Sequence, residues 1–312
     1  MTTRLLIAFL IAAAFAQSMP AQVSTARASL TQVLVKGKLR VFYATEGLHA
    51  VETTDADGSG VPDQVEDMAT QIRAAWMLLV DGLGFPDPFL GERFRGVEFL
   101  NIHLISKDVL KTNGVAYDEI QLFKRQGDPE GTRSLYINVA TSVKATANVT
   151  PAHELFHIIQ NGACYFKNRW YTEGTARWSE RALGTGGVGP GLRGSWPLGE
   201  ETWAKLDGMA YEASAQFWEP LTLHVDGQGE IPADRVSRAL RDIKYVNGES
   251  ALKDMALHGW EVIRDILVEL GAADDLAFRE RGLDRWSEKE QFSPENSAHI
   301  RRAVETVLGR AK

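Results

Sequence analysis

The stretch Pro151-Ala152-His153-Glu154-Leu155-Phe156-His157-Ile158-Ile159-Gln160 constrains this chain more than any other. Thr150 is a residue type that caps helices, and a proline just after a cap is at home in the first helical turn. On the helix this predicts, His153 and His157 stand one turn apart on one face, where both imidazoles can reach a single ion. Glu154 is rotated by about 100° from His153. It would therefore stand beside the ion, placed to take a proton from water there. The competing reading is an amphipathic core helix with two histidines at its rim.

The residues that follow weigh against that bland reading. Arg169-Trp170-Tyr171-Thr172-Glu173-Gly174-Thr175-Ala176-Arg177-Trp178-Ser179-Glu180 reads as a second helix that starts at Thr172 with Glu173 in its first turn. Catalytic zinc usually takes three protein ligands and keeps one position open, and Glu173 would complete such a set with His153 and His157. Asn161-Gly162 offers a stop for the first helix, and residues 158–172 leave room for the chain to turn back across the site. Glu180, two turns beyond Glu173 on the same face, is the competing third ligand. Otherwise it and Arg177 are supporting or surface charges.

At these residues the chain resembles the glutamate-type zincin metallopeptidases. The HExxH stretch followed by a Trp-x-x-Glu-Gly-x-Ala helix is similar to the peptidase MA-like group, and most closely to the secreted bacterial metalloproteases of the MXAN_6640 family, over residues 38–225. The resemblance implies an α+β, zincin-like fold: an N-terminal mixed sheet with helices, an active-site helix carrying HExxH, and a mainly helical C-terminal part. It implies zinc on His153, His157 and Glu173, with Glu154 as catalytic base. It also implies a peptide or protein substrate added to a sheet edge, a mode that asks little of side chains. Tyr211, in an expected helix over 210–218, is the candidate donor to the oxyanion of a tetrahedral intermediate, a buried core tyrosine being the alternative.

A second oxygen-rich stretch is Asp55-Ala56-Asp57-Gly58-Ser59-Gly60-Val61-Pro62-Asp63-Gln64-Val65-Glu66. Asp55, Asp57, Ser59, Asp63 and Glu66 take the side-chain positions of a twelve-residue calcium loop, Val61 the backbone-carbonyl position, and Gly60 the sharp turn. It reads as one structural calcium clip, with a plain turn capped by Asp63 as the alternative.

Residues 1–21 have a charged start, a short apolar run and small residues near Ala16 and Ala21, as a cleaved signal peptide does. The run is well short of the ~20 residues a spanning helix needs, so no stable membrane insertion is expected after cleavage. The expected address is secreted or periplasmic. Cys164 is the chain's single cysteine, which excludes an intramolecular disulfide, and it reads as a small buried apolar group more readily than as a ligand. Net charge is −7 with both signs interspersed, so no nucleic-acid surface is expected. None of these patterns bears on oligomeric state.

The domain reading places an α+β part over 22–162 and a mainly helical part over 163–312. Strands are expected over 39–44, 98–105, 113–118 and 134–139, and helices over 62–82, 256–270 and 298–308. Residues 17–31 read as a loose lead-in, and 184–194 as a glycine-rich loop beside the cleft. His103 is expected to point off its strand without a role, and His224 is a weaker candidate than Tyr211. The function expected is an exported zinc-dependent metallopeptidase. Its competitors are a catalytically inactive binding module stabilised by zinc and calcium, and a hydrolase of non-peptide esters or amides.

Overall fold

Gly37, at φ 64°, sets the first hairpin: Lys36 pairs with Leu39 and leaves Gly37-Lys38 as a two-residue turn, the kind that needs a left-handed backbone. The strands it joins are β1 (Gln32–Lys36) and β2 (Leu39–Tyr43). The computed structural model describes residues 22–122, 125, 127–183 and 196–310. The expected signal over 1–21 and the glycine-rich stretch over 184–194 lie outside them. The described part of the expected lead-in is not all loose: residues 22–28 are helical, and β1 follows after residues 29–31. Within β1 only Leu34 is buried, so this edge strand has little of the alternation by which a sequence declares a strand.

β2 runs parallel to β3 (Phe99–Ile105), and β3 parallel to β5 (Ser134–Ala140), while β4 (Gly114–Ala116) lies antiparallel on β5. The result is an α+β fold with a mixed five-stranded sheet in the order β1-β2-β3-β5-β4. The expected strands are all present, and the sheet order makes β4 an edge. β2 and β5 are buried along their whole length, as parallel strands covered on both faces are.

The twelve-residue loop feeds α1 (Asp63–Trp76), which a π-helical turn extends over Met77–Gly82, matching the helix expected over 62–82. The site helices are α2 (Thr150–Ala163) and α3 (Arg169–Ser179). Beyond them lie α4 (Trp260–Glu280), which starts after Gly259 and not at the expected Ala256 and runs past the expected end at 270, and α5 (Asn296–Arg310), longer at both ends than its apolar pattern indicated. Leu155, Phe156, Ile158 and Ile159 of α2 are wholly buried, at about 1.5–3 kcal/mol each. Gln71 of α1, also wholly buried, accepts from the Ala152 N–H and donates to the carbonyls of Ala145 and Asn148. This amide pins the start of α2 to the layer beneath it. On the far side, the Trp218 indole donates to the Trp170 carbonyl and lies against Gly174 of α3, where a Cβ would come within 2.6 Å of the ring. α3 is thus seated by packing at the residue next to Glu173. Among the described residues, no helix is long and apolar enough to cross a membrane.

Candidate metal centre

Both site helices start earlier than expected. α2 begins at Thr150, whose side chain caps nothing, and the Thr150 N–H is received instead by Asn148 Oδ1 at 2.9 Å. It continues through Asn161-Gly162 to Ala163 and ends where Cys164 turns extended, at φ −154°. α3 begins at Arg169, since the Asn168 carbonyl already accepts from the N–H groups of Tyr171 and Thr172. Glu173 therefore lies beyond the first turn.

The two helices bring three ligand-type atoms together. His153 Nε2 lies 3.1 Å from His157 Nε2 and 3.4 Å from Glu173 Oε2, and His157 Nε2 lies 3.6 Å from the same oxygen. Ligands on a tetrahedral zinc at about 2.0–2.1 Å stand about 3.3–3.4 Å from one another. The triangle is of that size, and its two nitrogens and one carboxylate are donors zinc accepts, so the residues fit the ion. Glu180 does not join them: its Oε1 lies 2.7 Å from His153 Nδ1, on the opposite edge of the ring. An Nδ1–H donating to that carboxylate aims the Nε2 lone pair into the triangle.

His157 is oriented by a longer relay. The Thr175 hydroxyl donates to the Tyr171 carbonyl, so its oxygen accepts from Gln160 Nε2 at 2.6 Å, and the Thr172 carbonyl accepts from the same amide at 2.9 Å. The amide oxygen of Gln160 must then face His157 Nδ1, at 2.7 Å, which places the imidazole proton there and leaves Nε2 bare. Sequence reasoning gave Gln160 no role, although its position three residues after His157, on the same helical face, is the available signal.

Without an ion this cluster is electrostatically tense. Burial works against charge on His153, but Glu173 and Glu180 prevail and push its pKa up to about 10. Burial likewise raises the Glu173 carboxyl, yet hydrogen bonds and charge from His153 and His157 hold it well below the usual carboxylate range. A cation at the triangle would take the place of the second proton on His153.

Glu154 stands outside the triangle and is 7 % exposed. Burial raises its pKa against the opposing charges of His157 and His153, and the Ala116 N–H of β4 donates to it. Gly114 makes this approach possible: a Cβ there would lie 2.6 Å from Glu154 Oε1 and 2.5 Å from Thr150 Cγ2. Tyr211 lies in the turn before the helical residues that begin at 212, with its ring 5.9 Å from that of His153. It is 46 % exposed and so no core residue, and burial together with the Glu173 carboxylate pushes its hydroxyl up to about 12.

The loop before α1 gathers Asp55, Asp57 and Asp63, each offering an oxygen within 4.8 Å of the others. The Ser59 N–H donates to Asp55 and Asp57, both at 3.0 Å, and the Ser59 hydroxyl to Glu66 at 3.0 Å and the Val61 carbonyl at 3.4 Å. The remaining candidates lie elsewhere. His103 does not project from the sheet into solvent: it is fully buried against Phe42, and burial pushes its pKa down to about 3. Cys164 is buried beside the Tyr171 hydroxyl at 3.5 Å, with its thiol pushed up to about 12 by burial, as suits an inert packing residue. His224 is outside both the His153, His157 and Glu173 group and the Asp55, Asp57 and Asp63 group.

Comparison of the chain with protein-family models, with curated proteins and with solved structures finds no match.

Proposed function

We propose that the protein is an exported zinc-dependent metallopeptidase with a zincin-like arrangement, in which His153, His157 and Glu173 hold the metal. The observation that carries this reading is the triangle of Nε2, Nε2 and Oε2 at 3.1–3.6 Å, with a buried carboxylate just outside it. Zinc in that position would supply Lewis acidity toward water and a carbonyl oxygen.

The chain's own residues do the rest. Glu180 and Gln160 orient the two imidazoles. Glu154, its pKa raised by burial, takes a proton from the attacking water and passes it to the departing amine. Edge strand β4, directly above Glu154, offers backbone groups along which an extended peptide can lie. Tyr211, 46 % exposed with its ring 5.9 Å from that of His153, would donate to the oxygen that gains charge. Export is supported by residues 1–21. A calcium ion held by the oxygens of residues 55–66 would brace the loop that leads into α1.

The test pairs elemental analysis with cleavage of casein. Wild type should carry about one zinc per chain and cleave casein in a chelator-sensitive way, while Glu154→Gln keeps the zinc and loses cleavage. A wild type that binds zinc and cleaves no peptide would leave the binding module or the hydrolase of non-peptide esters or amides, and a fully active Glu154→Gln would remove the base from the mechanism.

A further inference from the structure

A cavity of about 460 Å³ opens beside His153 and Glu154. Its wall is polar, formed by Thr146, Asn148, Thr150, Arg177 and Lys253 together with the carboxylates of Glu154 and Glu180. Arg177 lies on α3 one turn after Glu173 and one turn before Glu180, so either carboxylate could have been its partner. Neither is. Glu180 is engaged by His153 at 2.7 Å, and Glu173 faces the two imidazoles. Among the described residues, the guanidinium of Arg177, a half-buried residue, makes no ion pair within 4.0 Å and no hydrogen bond. The Lys253 ammonium is paired with Glu249 at 2.9 Å, which leaves Arg177 as the cation in this wall with its donors unused. A partly desolvated guanidinium without an anion is unfavourable by itself, and its flat fork of donors matches a carboxylate.

We infer that the cavity receives a carboxylate of the substrate and that Arg177 binds it. Resting on the peptidase reading above, this makes Arg177 a specificity determinant that favours cleavage next to a peptide carboxylate, either an acidic side chain or the chain's own C-terminus. An apolar side chain would gain little here, since among the described residues Val149 and Leu183 are the only large apolar ones in a wall otherwise polar or formed by alanine and glycine, apart from the Tyr211 ring.

The probes are hydroxamate dipeptide analogues, whose chelating group anchors at zinc, titrated calorimetrically into the full zinc-loaded chain. One pair carries a glutamate or a glutamine side chain with an amide C-terminus. A second pair carries alanine with a free or an amidated C-terminus. In one of the two pairs the charged member should bind wild type about tenfold more tightly than its neutral twin, the scale of a charge-assisted hydrogen bond. Which pair shows the difference identifies the source of the carboxylate. Arg177→Ala should erase the preference by bringing the charged probe's affinity down to that of its neutral twin, while Arg177→Lys should keep part of it. Equal binding of both members in both pairs by wild type overturns the inference, as does a preference that survives in Arg177→Ala. If wild type binds none of the four probes, the zinc peptidase reading itself fails.

Discussion

Gly114→Ala is the sharpest perturbation of the proposed base. The backbone at Gly114 has no left-handed φ, so alanine's only obstacle is contact. Its methyl would meet Glu154 Oε1 at 2.6 Å and Glu154 Cγ at 2.7 Å, where unstrained carbon–oxygen contacts begin at about 3.3–3.6 Å. The carboxylate and β4 must therefore separate by about 0.7–1 Å. Glu154 is buried and bonded to the Ala116 N–H, so the shift disturbs either the base or the strand that holds it. Misplacement on this scale costs about 100-fold in turnover, and overpacking costs about 1–3 kcal/mol of stability. The three atoms nearest this methyl belong to Thr150 and Glu154 and none to His153, His157 or Glu173, so zinc content should hold. Thermal midpoint, metal analysis and kcat on one peptide measure all three quantities. Wild-type turnover and midpoint in Gly114→Ala would refute the close approach, and loss of zinc would show that the methyl displaces ligands instead of the base.

Gln160→Leu removes the acceptor that sets the His157 tautomer while keeping apolar bulk, and zinc affinity should fall about 10–100-fold in a competition titration with a chromophoric chelator. His153 retains its second proton below a pKa of about 10, so each zinc bound near neutral pH should expel about one proton, and apparent affinity should rise about tenfold per pH unit up to that value. Calorimetry in buffers of different ionisation enthalpy measures this release. The same raised pKa stabilises the metal-free fold fully below about pH 6.5, a contribution lost as pH rises through about 10. In zinc-loaded protein, millimolar calcium should add about 1–3 kcal/mol to wild type and nothing to Asp57→Asn, read from the thermal midpoint.

Local spacing was enough for much of this protein. The i, i+4 placement of His153 and His157, the alternation of the central strands and the periodic apolar residues of α1 are properties of a few consecutive residues, and a single helical turn or strand pleat turns them into faces. Where the local signal was faint, the reading slipped. β1 has one buried side chain, Thr150 proved to be inside the helix it was expected to cap, and α3 started early because the Asn168 carbonyl recruits the preceding turn.

Other assignments depend on distances between elements, which helical phase does not encode. Glu173 and Glu180 share a face of one chain segment, and only the docking of that segment against α2 sends the first to the Nε2 side of His153 and the second to Nδ1. The hydrogen-bond role of Gln160, the edge position of β4 over Glu154 and the isolation of Arg177 arise in the same way. The sequence by itself determined which residues could bind a metal and that two of them would share a helix face. Packing between α2, α3 and β4 decided which atoms meet, because an imidazole has two different edges and a carboxylate can reach only the one its helix is packed against.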